Sequence, residues 1–431
     1  MRIGIFSDCH FGFAEGTERC DDAFLQAKQA LEGVLKKKVD FVLLAGDLFD
    51  SNEPSPEAWK QAFDFFGIGK KVSSNLSVEK VLRDGSKIPF SWGSIPMVSI
   101  HGTHEHRPKG LVNALEVLEA GGQMVHLHGN YCLVSNGVET VAIHGLSGVP
   151  EKVALNVLQA WNPTPVSNVF NMLVLHQSIK EFLPTEDDMS VSISLSDLPS
   201  GFDLYVNGHL HWANETQFGN NRFLLTGSTV VTQMKRLESQ KPKGFFVLDT
   251  GTKKLEFFSI PSQRLVFYEK MAFEDASLED VRNRVTGYLD GLFSKSFDQK
   301  PLVRLKLVGS IGKGFSSSDL QLSKLIAPYK EKAFFSADES FSEVSLRQKI
   351  AELRAFQKSK VSVLEMGLEL LDKNLSETPF DSAFDSRQIF EWLSEGETEK
   401  AMEALMESKA KKEGKQTVND LAETPSSLKA L

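Results

Sequence analysis

Short apolar runs alternate with polar turns and amphipathic stretches through roughly the first 260 residues, and that alternation predicts layered α/β architecture. Ile3-Gly4-Ile5-Phe6 reads as a strand that runs out at Asp8-Cys9-His10. Over 21–38, Phe24, Ala27, Leu31, Val34 and Leu35 recur at helical spacing, and 40–45 is a buried strand that delivers Gly46-Asp47. The stretch 57–66 suits a helix, whereas 67–93, rich in Lys, Ser and Gly, reads as an inserted loop or hairpin. Three further strands, 96–101, 171–176 and 202–207, end on or run into histidine-bearing segments. Short strands follow over 213–260, with turns at Gly219-Asn220 and Lys241-Pro242-Lys243-Gly244.

Beyond Pro261 the pattern changes. A strand at 265–273, a helix at 278–293, a strand at 302–308 and a helix at 320–326 make a small α+β unit. From 346 the chain is helical and polar, passes a loop rich in Ser and Asp at 374–386, and ends in two short helical patterns. The organisation expected is therefore 1–262, an α/β domain; 263–345, an α+β domain; 346–384, a helical linker; 385–413, a helix-loop-helix; and 414–431, a frayed tail. Around 111–118 lies an amphipathic helix.

Composition narrows this picture little. The 431 residues suffice for two or three domains, and 41% hydrophobic with 24% charged is ordinary for a soluble protein. A formal charge of −9 excludes a uniformly basic nucleic-acid binder but not a site whose bound cations supply local positive charge. Cys9, Cys20 and Cys132 have no CxxC spacing, which fits neither a disulfide framework nor a zinc ribbon. The opening Met1-Arg2-Ile3 runs straight into a strand, so no cleavable signal is expected, and no apolar stretch approaches membrane-spanning length. A cytoplasmic location is expected.

The strand ends collect Asp8, His10, Asp47, His104, His176, His209 and His211. Ligands of open α/β sheets gather at the carboxyl ends of strands, so these residues are expected to form one cluster. Asp8 and His10, two apart on an extended chain, should point to one side, with Cys9 opposite. Mixed imidazole and carboxylate donors suit Mn²⁺, Fe²⁺ or Zn²⁺ better than Mg²⁺ or Ca²⁺. The donors are too many for one ion, and Asp47 could bridge two, which about 3.5–4 Å apart can stabilise the attacking and leaving oxygens of a phosphoryl displacement.

In order, Asp-x-His, Gly-Asp, Gly-Thr-His, a lone His and Gly-His-x-His resemble the calcineurin-like metallophosphoesterase superfamily. Gly46-Asp47-Leu48-Phe49-Asp50, Leu175-His176-Gln177 and Asn207-Gly208-His209-Leu210-His211 more narrowly resemble the SbcD-type double-strand-break repair nucleases. The resemblance implies a four-layer sandwich of two mixed sheets flanked by helices, with a small α+β capping domain and C-terminal helices. It implies Asp8, His10, Asp47 and His211 on one Mn²⁺, Asp47, His176 and His209 on a second, and His104 as the acid serving the leaving oxygen, its ring oriented by Glu105. It also implies exonuclease action on duplex ends and endonuclease action on single strands, a homodimer, and an SMC-like ABC ATPase of SbcC type as partner. One position departs. Thr103 stands where the family has an Asn ligand for the second metal, with His101, His106 and His144 as possible substitutes. The alternatives are another phosphoesterase, such as a phosphatase or cyclic-nucleotide phosphodiesterase, or a catalytically weakened scaffold that binds DNA and the ATPase.

The remaining residues divide between structural and functional readings. His126, His128 and His144 read as structural histidines, and Cys9 as a packed apolar residue. Asp50 either supports the second metal or caps the loop before the next helix. Arg107, Lys109, Lys235 and Arg236 could meet a phosphate backbone, or be solvated charges. Ile389, Phe390, Leu393, Met402, Leu405 and Met406 present apolar faces on helices too short to stand alone, and the resemblance assigns them to the ATPase.

Overall fold

The computed structural model describes residues 1–91, 93–183, 193–219, 221–312 and 316–343, together with Leu368, Arg387, Gln388, Phe390, Trp392 and Met402. In chain order the elements are β1 (Arg2–Phe6), α1 (Asp22–Lys36), β2 (Phe41–Leu44), α2 (Pro56–Gly69), β3 (Ser77–Val81), β4 (Lys87–Phe90), β5 (Met97–Ser99), α3 (Ala114–Ala120) and β6 (Val125–His126). There follow β7 (Asn130–Ser135), β8 (Thr140–Leu146), α4 (Glu151–Trp161), β9 (Phe170–Leu175), β10 (Leu204–Asn207), β11 (Asn214–Phe218) and β12 (Asn221–Leu225). Then come α5 (Arg236–Gln240), β13 (Gly244–Asp249), β14 (Lys254–Ser259), β15 (Val266–Ala276), α6 (Leu278–Phe293), β16 (Leu302–Ile311), α7 (Ser317–Leu320), α8 (Leu322–Ile326) and β17 (Phe334–Glu343).

Two mixed sheets carry the first ~260 residues, their strand orders β14-β13-β1-β2-β5-β6 and β11-β12-β10-β9-β8-β7-β3-β4. Alternation along each strand decides which core a side chain enters. In β1, Ile3 and Ile5 face the second sheet and meet Ile143, Val174 and Val206, whereas Phe6 joins Val34 and Phe65 of α1 and α2 on the outer face. On the far side of the second sheet, Leu173, Leu175 and Tyr205 pack with Ala154 and Leu158 of α4. The result is helix, sheet, sheet, helix. The expected insertion at 67–93 is a hairpin, β3 with β4, and β3 pairs antiparallel with β7, so it widens the second sheet.

The chain forms two compact units, the first comprising Met1–Ala272, Arg282–Val308 and Gln321–Ser340. Much of the segment expected to form a separate α+β domain thus packs within the first unit. Arg264 pairs with Asp22 at 2.8 Å, Lys300 with Glu18 at 2.7 Å, and Val231 and Met234 pack with Leu302. The third sheet has the order β15-β16-β17, one strand more than expected. In the second unit, Gly309 adopts φ 123 against the Phe273 carbonyl, and the Phe273 and Phe341 rings lie 5.9 Å apart.

The expected divisions 346–384, 385–413 and 414–431 lie outside the described residues apart from isolated positions. The same holds for Ile389, Leu393, Leu405 and Met406, while Met402 is exposed. Among the described residues no helix is long and apolar enough to cross a membrane.

Candidate metal centre

Five parallel strand ends converge. β1, β2 and β5 are parallel neighbours in one sheet, β9 and β10 in the other, and their carboxyl ends deliver Asp8 and His10, Asp47, Thr103 and His104, His176, and His209 with His211. The backbone there is tightly wound. Asp8 (φ 53), His10 (φ 52), Asp47 (φ 47) and His209 (φ 70) all adopt left-handed conformations, each costing about 1–3 kcal/mol. The expectation of an extended Asp8-Cys9-His10 is therefore wrong in its means: β1 ends at Phe6, and the two side chains converge through left-handed turns. Cys9 does face away, into the core. Gly102 makes the crowding possible, because a Cβ there would collide with the Asp47 carboxylate.

Three groups of donors lie close together: Asp8, His10 and His211; His10, Asp47 and His104; and Asp47, His176 and His209. Asp47 belongs to the second and third of them, and His10 to the first and second, so the three groups are continuous.

The hydrogen bonds show where the lone pairs point. His10 Nδ1 donates to Asp50 Oδ1 at 2.9 Å, and His211 Nδ1 donates to Thr232 Oγ1 at 2.8 Å with Glu238 Oε1 at 3.7 Å. With both Nδ1 atoms donating, both Nε2 lone pairs face one spot, 3.3 Å from each other. Asp8 Oδ1 lies 3.4 Å from His211 Nε2 and 3.9 Å from His10 Nε2, is wholly buried, and has no hydrogen-bond partner. His176 Nδ1 donates to the Ala45 carbonyl at 2.7 Å, which turns its Nε2 onto Asp47 Oδ2 at 2.9 Å. Converging lone pairs and an orphaned carboxylate oxygen repel one another unless a cation sits among them. The donor set therefore fits divalent metal ions.

Protonation follows the same logic. Burial would lower His176, but Asp47 and Asp8 reverse this and push it up to about 10. Burial likewise opposes Asp8 and Glu238 in pushing His211 up to about 9. Burial would raise Asp8 and Asp47, but neighbouring imidazoles, His176 foremost, hold both carboxyls below their usual range. A proton takes the place of a cation here.

His104 differs from its neighbours in being 40% exposed. Its ring is oriented by Asp50, whose carbonyl accepts from Nδ1 at 2.8 Å. Glu105 was expected to do this. It is instead fully buried and accepts from the Gly102 and Phe49 amides at 2.7 and 2.9 Å, tying two ligand loops together, and burial beside Asp47 raises it to about 8. Asp50 is likewise reassigned, because it braces His10 of the first donor set, while Ser55 caps α2.

Thr103, expected at a ligand position, places its Oγ1 3.4 Å from His209 Nδ1. The possible substitutes do not join it. His101 bonds His126 at 2.9 Å, the His144 ring stacks on Tyr131, and the His106 ring faces His101 at 6.3 Å. Burial lowers His126 to about 3 and His144 to about 4. Arg107 pairs with Glu53 at 2.9 Å, and Lys109 is exposed. Lys235 and Arg236 are exposed beside a cavity that Trp212 and Tyr268 also line.

Sequence reasoning missed the residues behind the ligands. Lys243 is buried, bonding Glu238 at 2.8 Å and the His211 carbonyl at 2.7 Å. Glu238, a single acidic residue in a one-turn helix, has no local signal. Ser178 and Glu151 flank His209 Nε2 at 3.1 and 3.8 Å.

Residues 1–213 match the family described as calcineurin-like phosphoesterase. The chain is 29% identical over 314 residues to a double-strand break repair protein of Encephalitozoon cuniculi, covering 67% of this chain and 53% of that one. It is 28% identical to the corresponding protein of Arabidopsis thaliana, covering 71% and 50%, and 24% identical to that of Archaeoglobus fulgidus, covering 80% of both. The chain spans about half the length of the eukaryotic relatives it matches.

Proposed function

We propose, for a chain that belongs to the calcineurin-like phosphoesterases, that this cluster hydrolyses DNA phosphodiesters as the nuclease of a double-strand-break repair system. The carrying observation is a continuous run of donor groups: His10 joins Asp8 and His211 to Asp47, Asp47 leads on to His176 and His209, and Asp8 Oδ1 among them is buried without a hydrogen-bond partner. Asp8, His10, Asp47 and His211 would hold one ion, and Asp47, His176, His209 and Thr103 the other, with Mn²⁺ the metal proposed. Such a pair supplies Lewis acidity and a water acidified near neutral pH.

The chain's own contribution is placement and proton transfer. His104 Nδ1 is committed to the Asp50 carbonyl, which leaves Nε2 as the atom that protonates the departing sugar oxygen. The left-handed ligand turns hold the donors in place before substrate arrives. Lys109, Lys235 and Arg236 would meet the phosphate backbone, and Arg107 would do so only by leaving Glu53. The carboxyl-terminal segment would dock on an SMC-like ATPase. Leu111, Val112 and Val117, all exposed, would contribute to a homodimer contact.

The test is cleavage of end-labelled duplex and single-stranded DNA with Mn²⁺, Mg²⁺ or EDTA. Cleavage is expected with Mn²⁺, and His104→Ala is expected to lower the rate by about 10²–10⁴-fold while metal content stays unchanged. Retained activity in that variant would remove the acid role. Thr103 favours a second reading, a weakened scaffold that binds DNA or ATPase without cutting, and wild type inert with every metal would support it.

A further inference from the structure

We propose that Glu151, the first residue of α4, is a positioning residue for the second donor set, holding His209 so that Nδ1 is free beside Thr103 and offsetting the weak donor at 103. The inference rests on the two-ion reading above and deepens it.

The two ring nitrogens of His209 face different surroundings. On one side Thr103 Oγ1 lies 3.4 Å from Nδ1. On the other, Ser178 Oγ lies 3.1 Å from Nε2, with Glu151 Oε1 behind it at 3.8 Å. Glu151 Oε1 accepts the Ser178 amide at 3.2 Å, while its Oε2 is buried with no hydrogen-bond partner. An aliphatic hydroxyl is a poorer neutral ligand than an amide oxygen, so the second set depends more heavily on its imidazoles. A carboxylate next to Nε2 favours the tautomer with the proton there. It thereby leaves the Nδ1 lone pair free to face the donor set.

The first donor set shows the same arrangement twice. His10 is backed by Asp50 at 2.9 Å and His211 by Glu238 at 3.7 Å. Glu151 supplies the equivalent carboxylate to the second set, at a similar 3.8 Å. Without it, the hydrogen-bond partners of the two ring nitrogens of His209 would be hydroxyls, those of Thr103 and Ser178, and hydroxyls do not select a tautomer.

The test is Mn²⁺ titration of the full chain, by calorimetry and by the spin-coupled resonance signal that only two adjacent Mn²⁺ ions give. Glu151→Gln should weaken the second ion about 10–100-fold, diminish the coupled signal at a given Mn²⁺ concentration, and leave the first ion unchanged. Thr103→Asn in the same chain should recover much of the loss, because an amide ligand relieves the dependence on His209. Unchanged second-ion affinity in Glu151→Gln, or a lowered melting temperature with both ions bound normally, overturns the proposal by showing a structural role for α4 alone. A wild type that binds one ion overturns the two-ion reading itself, and this outcome is told apart because it is seen before any substitution at 151.

Discussion

The two donor sets meet at Asp47, which lies with His10 on one side and with His176 and His209 on the other. In the first, Asp8, His10 and His211 are buried, and charged side chains stand behind two of them: Asp50 on His10, and Glu238 with Lys243 on His211. In the second, His209 is 26% exposed, a hydroxyl stands at 103, and bracing falls to Ser178 and Glu151. A family-like motif thus contains one over-determined half and one half with room to vary. The difference is in the residues behind the ligands as much as in the ligands.

The sharpest way to break the comparison is at its buried cation. Lys243→Met leaves the Glu238 carboxylate buried without its partner, and removing one member of such a pair costs about 3–5 kcal/mol. Urea unfolding should show that loss in the metal-free chain, since Lys243 also holds the His211 carbonyl and Ser228. A loss below about 1 kcal/mol would mean that water reaches Glu238 and that the first set is less rigid than its burial implies.

How much of this was legible in the sequence depends on whether a residue's role is local. Gly46-Asp47 and Gly208-His209-Leu210-His211 announce themselves because their chemistry needs tight turns at strand ends, and periodicity located those strands. Asp8 and His10 were placed together for the wrong reason, since spacing on an extended chain cannot foresee two left-handed residues. The resemblance implied Glu105 as a brace for His104, yet its carboxylate turns inward to the Gly102 and Phe49 amides. Lys243 and Glu238 stand only five residues apart, yet what buries them is the approach of the His211 carbonyl, 32 residues away, to Lys243 Nζ. Long-range packing of this kind leaves no pattern at the period of a helix or strand. The segment 263–345 shows the same limit, because β15, α6 and β16 were readable while β17 and the Arg264–Asp22 and Lys300–Glu18 pairs were not.

A smaller effect is expected where the first set is braced by a carboxylate that is partly open to solvent. Asp50→Asn keeps the shape but presents His10 Nδ1 with a neutral amide, losing the carboxylate that selects the tautomer. First-ion affinity should fall about 10–100-fold, with the second ion unaffected. The Asp50 carbonyl still holds His104, so the His104 acid function should persist once Mn²⁺ is raised to saturation. Activity lost at saturating metal would instead mean that Asp50 acts on His104 through its side chain, 3.6 Å from Nδ1.

The smallest change is expected from Thr103→Asn, and it tests whether the two sets differ in kind or only in degree. The hydroxyl already lies 3.4 Å from His209 Nδ1, so the position points into the donor set and an amide oxygen can reach further than Oγ1. Second-ion affinity should rise severalfold, toward but not beyond the first, because His209 stays more open than His10 or His211. Mn²⁺ titration followed by the coupled resonance signal measures it. An increase in affinity with matching gain in DNA cleavage at low Mn²⁺ makes Thr103 a tuning residue of an active enzyme. A gain in affinity with no cleavage at any Mn²⁺ concentration makes the second set a relic on a binding scaffold, since the donors would be complete and the chemistry still absent.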